Sequence, residues 1–180
     1  MKTKEIILNS VVELMNHSSV DSLSVKAIAD NAGVSRRTFY NHFVDKYDAV
    51  NSFFTWQITR EIEEHYNGKN WNEIAVFMCF LLRDHARFFL EADKAGELDR
   101  FSTFLTRWAE EMYSAAYMRN MKKTELTEDE KLRISFYALG NMVYVNKILR
   151  NPEEFSDPVR IRHYVDIVLK EVPAVYYELQ

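Results

Sequence analysis

Residues 23–46 read LSVKAIADNAGVSRRTFYNHFVDK, two short helical patterns joined by a glycine. Ser24 offers a hydroxyl to an otherwise orphan backbone amide, and Val25, Ile28 and Ala29 follow at helical spacing, which predicts a short helix carrying those three inward. Gly33 supplies the left-handed conformation that a tight helix-to-helix turn requires. Ser35 then caps a second short helix, about Arg36 to Phe43, with Phe39 and Phe43 on one side and Arg36, Arg37, Tyr40 and Asn41 largely on the others. A helix that exposes cations and hydrogen-bonding groups in place of an apolar face fits the B-DNA major groove. There Arg can bond guanine O6 and N7, while Asn or Thr can read adenine or the thymine methyl.

Outward from this stretch, the helical pattern continues in both directions. Ile6, Ile7, Val11, Leu14 and Met15 predict a first helix that the polar cluster Asn16 to Ser22 ends. Asp45 caps a fourth helix, with Asp48 in its first turn, running to Tyr66 and stopped by Asn67-Gly68. Trp71 to Leu90 reads as one apolar helix, followed by a short one around Asp93 to Arg100 and another from Phe101 to Met121. Thr127 and Glu130 match a capping box that opens a long helix, Asn151-Pro152 breaks it, and a last helix from Pro158 runs nearly to Gln180. Strand-like alternation is absent, and four glycines and three prolines leave little punctuation, so the fold class is all-α.

The combination Ala27-Ile28-Ala29, Ala32-Gly33-Val34-Ser35, Thr38-Phe39-Tyr40, His42-Phe43 and Asp45-Lys46 resembles the DNA-binding signature of the TetR family of regulators. The resemblance implies about nine helices, three for DNA binding in residues 1–47 and the remainder, 48–180, for dimerisation and effector sensing. It also implies that Tyr40, His42 and Lys46 hold the phosphate backbone, while Lys26, Arg36, Arg37, Thr38 and Asn41 face base edges or nearby phosphates. The caps Ser24 and Ser35 complete the DNA-facing set. Many members carry a small residue where this chain has Arg36 or Arg37, so which arginine reads a base is left open. Read without the family, Arg36-Arg37 is a solvated face, Tyr40 a partly buried aromatic and His42 a packing histidine. Lys46 is then a charge at a helix start, where a cation opposes the helix dipole; a phosphate is the better reason for it. Beyond Tyr47, DKYDAV and HARFFLEADKAGELDRF resemble the dihydroxyacetone-kinase-regulator-like branch.

Composition bounds the alternatives. A formal net charge of −4 argues against a protein that coats nucleic acid over its whole surface. Residues 1–47 carry Lys2, Lys4, Lys26, Arg36, Arg37 and Lys46 against Glu5, Glu13, Asp21, Asp30 and Asp45, so the anion-facing part is the N-terminal one. No apolar run is long enough for a bilayer and Met1 to Asn9 has no cleavage-like site, which predicts a cytoplasmic protein with no membrane partner. The single cysteine, Cys79, is expected to be a buried, inert thiol.

In the C-terminal half, Leu132, Phe136, Leu139 and Val143, with Val165, Val168, Leu169 and Val172, make apolar faces at bundle spacing. They either pack within one chain or form a four-helix bundle with the same pair of a second subunit, where Gly140 permits close approach. Two recognition helices are needed for paired half-sites, so a homodimer is expected. The aromatic middle reads as core, or as the lining of an effector pocket with polar groups set into it: Trp56, Phe77, His85, Phe104, Trp108, Tyr113, Tyr137 and Asn141. Arg83 and Arg107 could join them; the effector is a small molecule or a protein, or there is none. No histidine has Glu three positions before it, and no phosphate loop, nucleophile elbow or zincin motif is present. No catalytic residue, metal ligand or cofactor is therefore assigned; a helical adaptor that binds only proteins is the chief alternative, and a helical-bundle enzyme a lesser one.

Overall fold

The computed structural model of the protein describes residues 2–65, 71–94 and 100–177. Among the described residues every regular element is helical: α1 (Thr3–Met15), α2 (Val25–Asn31), α3 (Arg36–Tyr40), α4 (Lys46–His65), α5 (Trp71–Asp84), α6 (Ala86–Ala92), α7 (Phe101–Asn120), α8 (Glu128–Arg150) and α9 (Pro158–Glu171), with 3-10 turns at Pro152–Phe155 and Ala174–Tyr176. The chain packs as two units, one made of Met1–Thr59 and Arg87–Thr103, the other of Arg60–Ala86 and Phe104–Gln180.

In the first unit, Ile7, Leu8, Val11 and Met15 of α1 are buried together with Ile28, Ala29, Phe39 and Phe43. Ser10 is buried too, and its hydroxyl donates to the Ile28 carbonyl at 3.0 Å while accepting from Asn31 Nδ2 at 3.0 Å, so a polar pin holds α1 to α2. Phe53, Phe54, Phe88, Phe89 and Phe101 form a ring cluster, with Phe89 and Phe101 stacked at 4.4 Å between centroids. Asp93 accepts from the Ser102 amide at 2.8 Å and so satisfies an orphan donor at the start of α7.

In the second unit, α5 packs against α8 and α9. Arg83 donates to the Phe155 carbonyl at 3.1 Å, and Arg162 of α9 pairs with Glu73 of α5 at 2.6 Å. Ala109, Tyr113, Ile134, Ala138, Val172 and Tyr176 make one buried cluster. The α7–α8 turn is tied by Glu130, which accepts from Lys123 Nζ at 2.6 and 2.7 Å, from Tyr117 Oη at 2.9 Å and from the Thr127 amide at 2.9 Å.

The expected helix bounds change in three places. The apolar run Trp71 to Leu90 is not one helix, because α5 ends at Asp84 and α6 starts at Ala86. The change of unit falls just after that break, with α5 and Ala86 in the second unit and Arg87 onward in the first, and apolar periodicity carries no mark of which core a side chain serves. The last helix stops at Glu171, since Pro173 disfavours helical geometry at Val172, which is extended (φ −100°, ψ 115°). The helix expected at Asp93 to Arg100 begins instead with a turn at Asp93 and Lys94; most of its remainder, like the Asn67-Gly68 stop, Tyr66 and Gln180, lies outside the described residues. The division expected at residue 47 falls within the first unit, which takes in the first part of α4 and Arg87–Thr103 as well.

Candidate nucleic-acid interface

The local chemistry of residues 23–46 forms as its sequence dictates. Ser24 accepts from the Ala27 amide at 3.1 Å and Ser35 from the Thr38 amide at 3.0 Å, so each short helix starts on its own side-chain cap. Gly33 sits at φ +65° between them. Asp45 accepts from the Asp48 amide at 2.8 Å, and Asp48 in turn accepts from the Val44 amide at 2.9 Å, which defines where α4 begins. Phe39 and Phe43 are buried with ring centroids 5.5 Å apart, so α3 is anchored by its apolar side and the opposite side is left outward.

On that outward side stand Arg36, Arg37, Tyr40, Asn41 and His42, all exposed, with Thr38 half-buried and its hydroxyl 2.8 Å from that of Ser35. The side chains of Arg36, Arg37 and Asn41 make no hydrogen bond or ion pair among the described residues. Tyr40 is 51% exposed and held edge-on to Phe39 at 5.6 Å, which orients a hydroxyl outward without occupying it. Lys26 is exposed as well, though its ammonium pairs with Asp30 at 2.6 Å. An exposed pair of this kind is worth little and can be exchanged for a phosphate.

Lys46 is placed differently from the expectation. Its ammonium donates to the carbonyls of Val20 at 2.8 Å, Asp21 at 3.0 Å and Leu23 at 3.0 Å. An ammonium has three protons, and all three are engaged with the α1–α2 connection. Those carbonyls supply a reason for a cation at the start of α4 within the protein itself, beside the phosphate expected there. The sequence reading also passed over Val44, which is 81% exposed in the α3–α4 turn; its one signal was an apolar residue out of register with Phe39 and Phe43.

The other expected residues lie away from this face. Trp108, Tyr113 and Tyr137 pack in or against the buried cluster of the second unit, and Asn141 donates to the Tyr113 hydroxyl at 2.5 Å. Phe77, His85 and Phe104 are half-buried in the same unit, with burial holding the His85 imidazole below its ordinary range, whereas Trp56 belongs to the first unit at 6.3 Å from Phe53. Arg107 is exposed, so it is not among embedded polar groups. Cys79 is half-buried, and desolvation pushes its thiol up to about 12, which keeps it protonated at neutral pH. Leu132, Phe136, Leu139 and Val143 of α8 are 72%, 73%, 58% and 68% exposed. Val165 and Val172 are buried within the protomer and Val168 and Leu169 half-buried, so α9 turns much of its apolar face to its own core.

Residues 7–51 match the family model described as bacterial regulatory proteins, tetR family. That match covers a quarter of the chain and makes those residues a tetR-type DNA-binding domain. No curated protein matches the chain by sequence. Among solved structures, the dihydroxyacetone kinase operon activator DhaS is similar at a TM-score of 0.64 and 16% identity, covering 98% of each chain. NalD, the secondary repressor of the MexAB-OprM multidrug efflux pump in Pseudomonas aeruginosa, is similar at 0.49 and 19% identity over 93% of this chain and 94% of its own.

Proposed function

We propose that this chain, a DNA-binding transcriptional regulator by its tetR-type N-terminal domain, binds duplex DNA as a homodimer with one α3 in the major groove of each half-site. The observation that carries the reading is the set of exposed, unengaged donors on α3: Arg36, Arg37 and Asn41 beside the Tyr40 hydroxyl. Arg and Asn are the side chains that bond guanine and adenine edges in pairs, while Tyr40 and His42 suit the backbone. The test is a fluorescence-anisotropy titration with DNA from upstream of the protein's own gene and with random DNA at several salt concentrations. Specific binding that weakens with salt supports the reading; none at any salt would favour an adaptor that binds only proteins.

The dimer face of this proposal lies on α8. Leu132, Phe136, Leu139 and Val143 recur on one stripe and stand exposed in the protomer, with Gly140 among them. A Cβ added at Gly140 meets nothing within 4 Å, so no neighbour within the chain accounts for a glycine there, whereas a second α8 approaching closely does. Val159 and Ile167 are the exposed apolar residues that α9 adds. For an effector, the reading centres on the Tyr113–Asn141 pair, two polar groups set in an aromatic cluster, and a thermal-shift screen of metabolites tests it. The overall likeness to DhaS supports placing the chain in the dihydroxyacetone-kinase-regulator-like branch, and a transcription assay decides between activation and repression.

A further inference from the structure

The five cations of residues 4–46 divide by what they already hold. Lys26 is paired with Asp30, and Lys46 is engaged with three carbonyls. Arg36, Arg37 and Lys4 make no hydrogen bond or ion pair among the described residues. Lys4 is exposed in the first turn of α1, where a cation opposes the helix dipole, so its presence there does not serve the helix. Its ammonium stands 5.7 Å from the centroid of the Phe43 ring. Phe43 is the residue after His42, and its ring continues through Phe39 to Tyr40, with centroid spacings of 5.5 and 5.6 Å. A cation–π contact fixes the ammonium beside the turn that carries the two expected backbone ligands while leaving all three of its protons free.

Resting on the DNA-binding reading above, we infer that Lys4 contacts a DNA phosphate on the same stretch of backbone as Tyr40 and His42, in the place the sequence assigned to Lys46. Duplex DNA presents a negative charge about every 1.7 Å along its axis, so an exposed ammonium at the edge of the interface meets a phosphate without further specificity. The contact therefore contributes affinity and salt dependence and carries no base preference.

The test uses the full chain and a fluorescein-labelled duplex of random sequence, because a phosphate contact is blind to sequence. Lys4→Met keeps the stem and removes the charge; it is expected to weaken binding about three- to tenfold at low salt and to lower the slope of log affinity against log salt by about 0.9 for each Lys4 on a phosphate. Lys4→Arg is expected to restore both, and Arg37→Ala serves as a separate reporter of the α3 face. A salt slope unchanged in Lys4→Met, or one that Lys4→Arg fails to restore, overturns the assignment and leaves the DNA-binding reading standing wherever Arg37→Ala still weakens binding. Absence of binding by the wild-type protein overturns both. If Lys4→Met melts earlier than wild type, the slope is read on Lys4→Gln below both transitions, and an unchanged slope there also overturns the assignment.

Discussion

The Lys46 ammonium lies 2.8 Å from the Val20 carbonyl oxygen, although the two residues are separated by most of the helix-turn-helix. With the bonds to Asp21 and Leu23, it ties the start of α4 to the segment that leads into α2. Lys46→Ala is accordingly expected to lower the stability of the protein by about 1.5 to 3 kcal/mol, the range for hydrogen bonds to a charged donor. Denaturant titration measures that loss. Below the unfolding transition the salt slope of DNA binding stays as in wild type, and a slope reduced by about one unit would return Lys46 to the phosphate role.

Arg37→Ala and Asn41→Ala separate base reading from backbone holding. Each residue that bonds a base edge is expected to lower discrimination between operator and random DNA by roughly 1 to 3 kcal/mol when removed. Competition titrations give the ratio directly. If Arg37→Ala leaves it untouched while Arg36→Ala reduces it, the base-reading arginine is Arg36.

Charge placed on α8 and charge placed on α9 are expected to act differently. Leu132→Glu with Phe136→Glu puts carboxylates on residues that are solvent-exposed in the protomer, so the variant folds and sediments as a monomer. Val165→Glu buries an unpaired charge at a position only 3% exposed and lowers the melting temperature by circular dichroism. A double variant that remains dimeric in sedimentation would move the interface off α8.

Gly140→Ala gives opposite signs in the two association states. In the Leu132→Glu, Phe136→Glu background the added methyl meets nothing within 4 Å, and stability rises by roughly 0.5 to 1 kcal/mol, the helix preference of Ala over Gly. In the otherwise wild-type chain the same methyl stands between two approaching α8 helices and weakens self-association. Unchanged association by sedimentation would show that the backbones do not approach at Gly140.

Acid sensitivity is expected at the α7–α8 turn. The Lys123 ammonium first, then the Thr127 amide and the Tyr117 hydroxyl, hold the Glu130 carboxyl down to about 2 from an ordinary 4.5. A carboxyl depressed by folding stabilises fully above its unfolded value, and that contribution disappears as pH falls from about 4.5 to about 2. Glu130→Gln is therefore expected to melt below wild type near neutral pH, with the gap closing across this window. Thermal melts at stepped pH check it, and a gap that persists to pH 2 would assign the stabilisation to something other than the charge.

Much of the helix-turn-helix segment was legible because its determinants act within a helical turn. Ser24 and Ser35 cap the helices that follow them, Gly33 takes the one positive φ the turn needs, and Phe39 with Phe43 sets which side of α3 is anchored. Thr127 and Glu130 close their capping box for the same reason, as partners three residues apart.

The residues alone were enough for the all-helical class, the starts of the capped helices and the side of α3 that carries the donors. Which of several equivalent side chains is engaged depends on contacts distant in sequence. Lys4 and Lys46 are both lysines in the first turn of a helix, and only the carbonyls of Val20, Asp21 and Leu23, far away in sequence, occupy one and leave the other open. Val143 and Val165 are equally apolar at bundle spacing, yet one is exposed and the other buried, because burial depends on what packs opposite and not on the residue's own hydrophobicity. The break at His85 was hidden likewise: helical periodicity records that a side chain is buried, and the fold selects which core buries it.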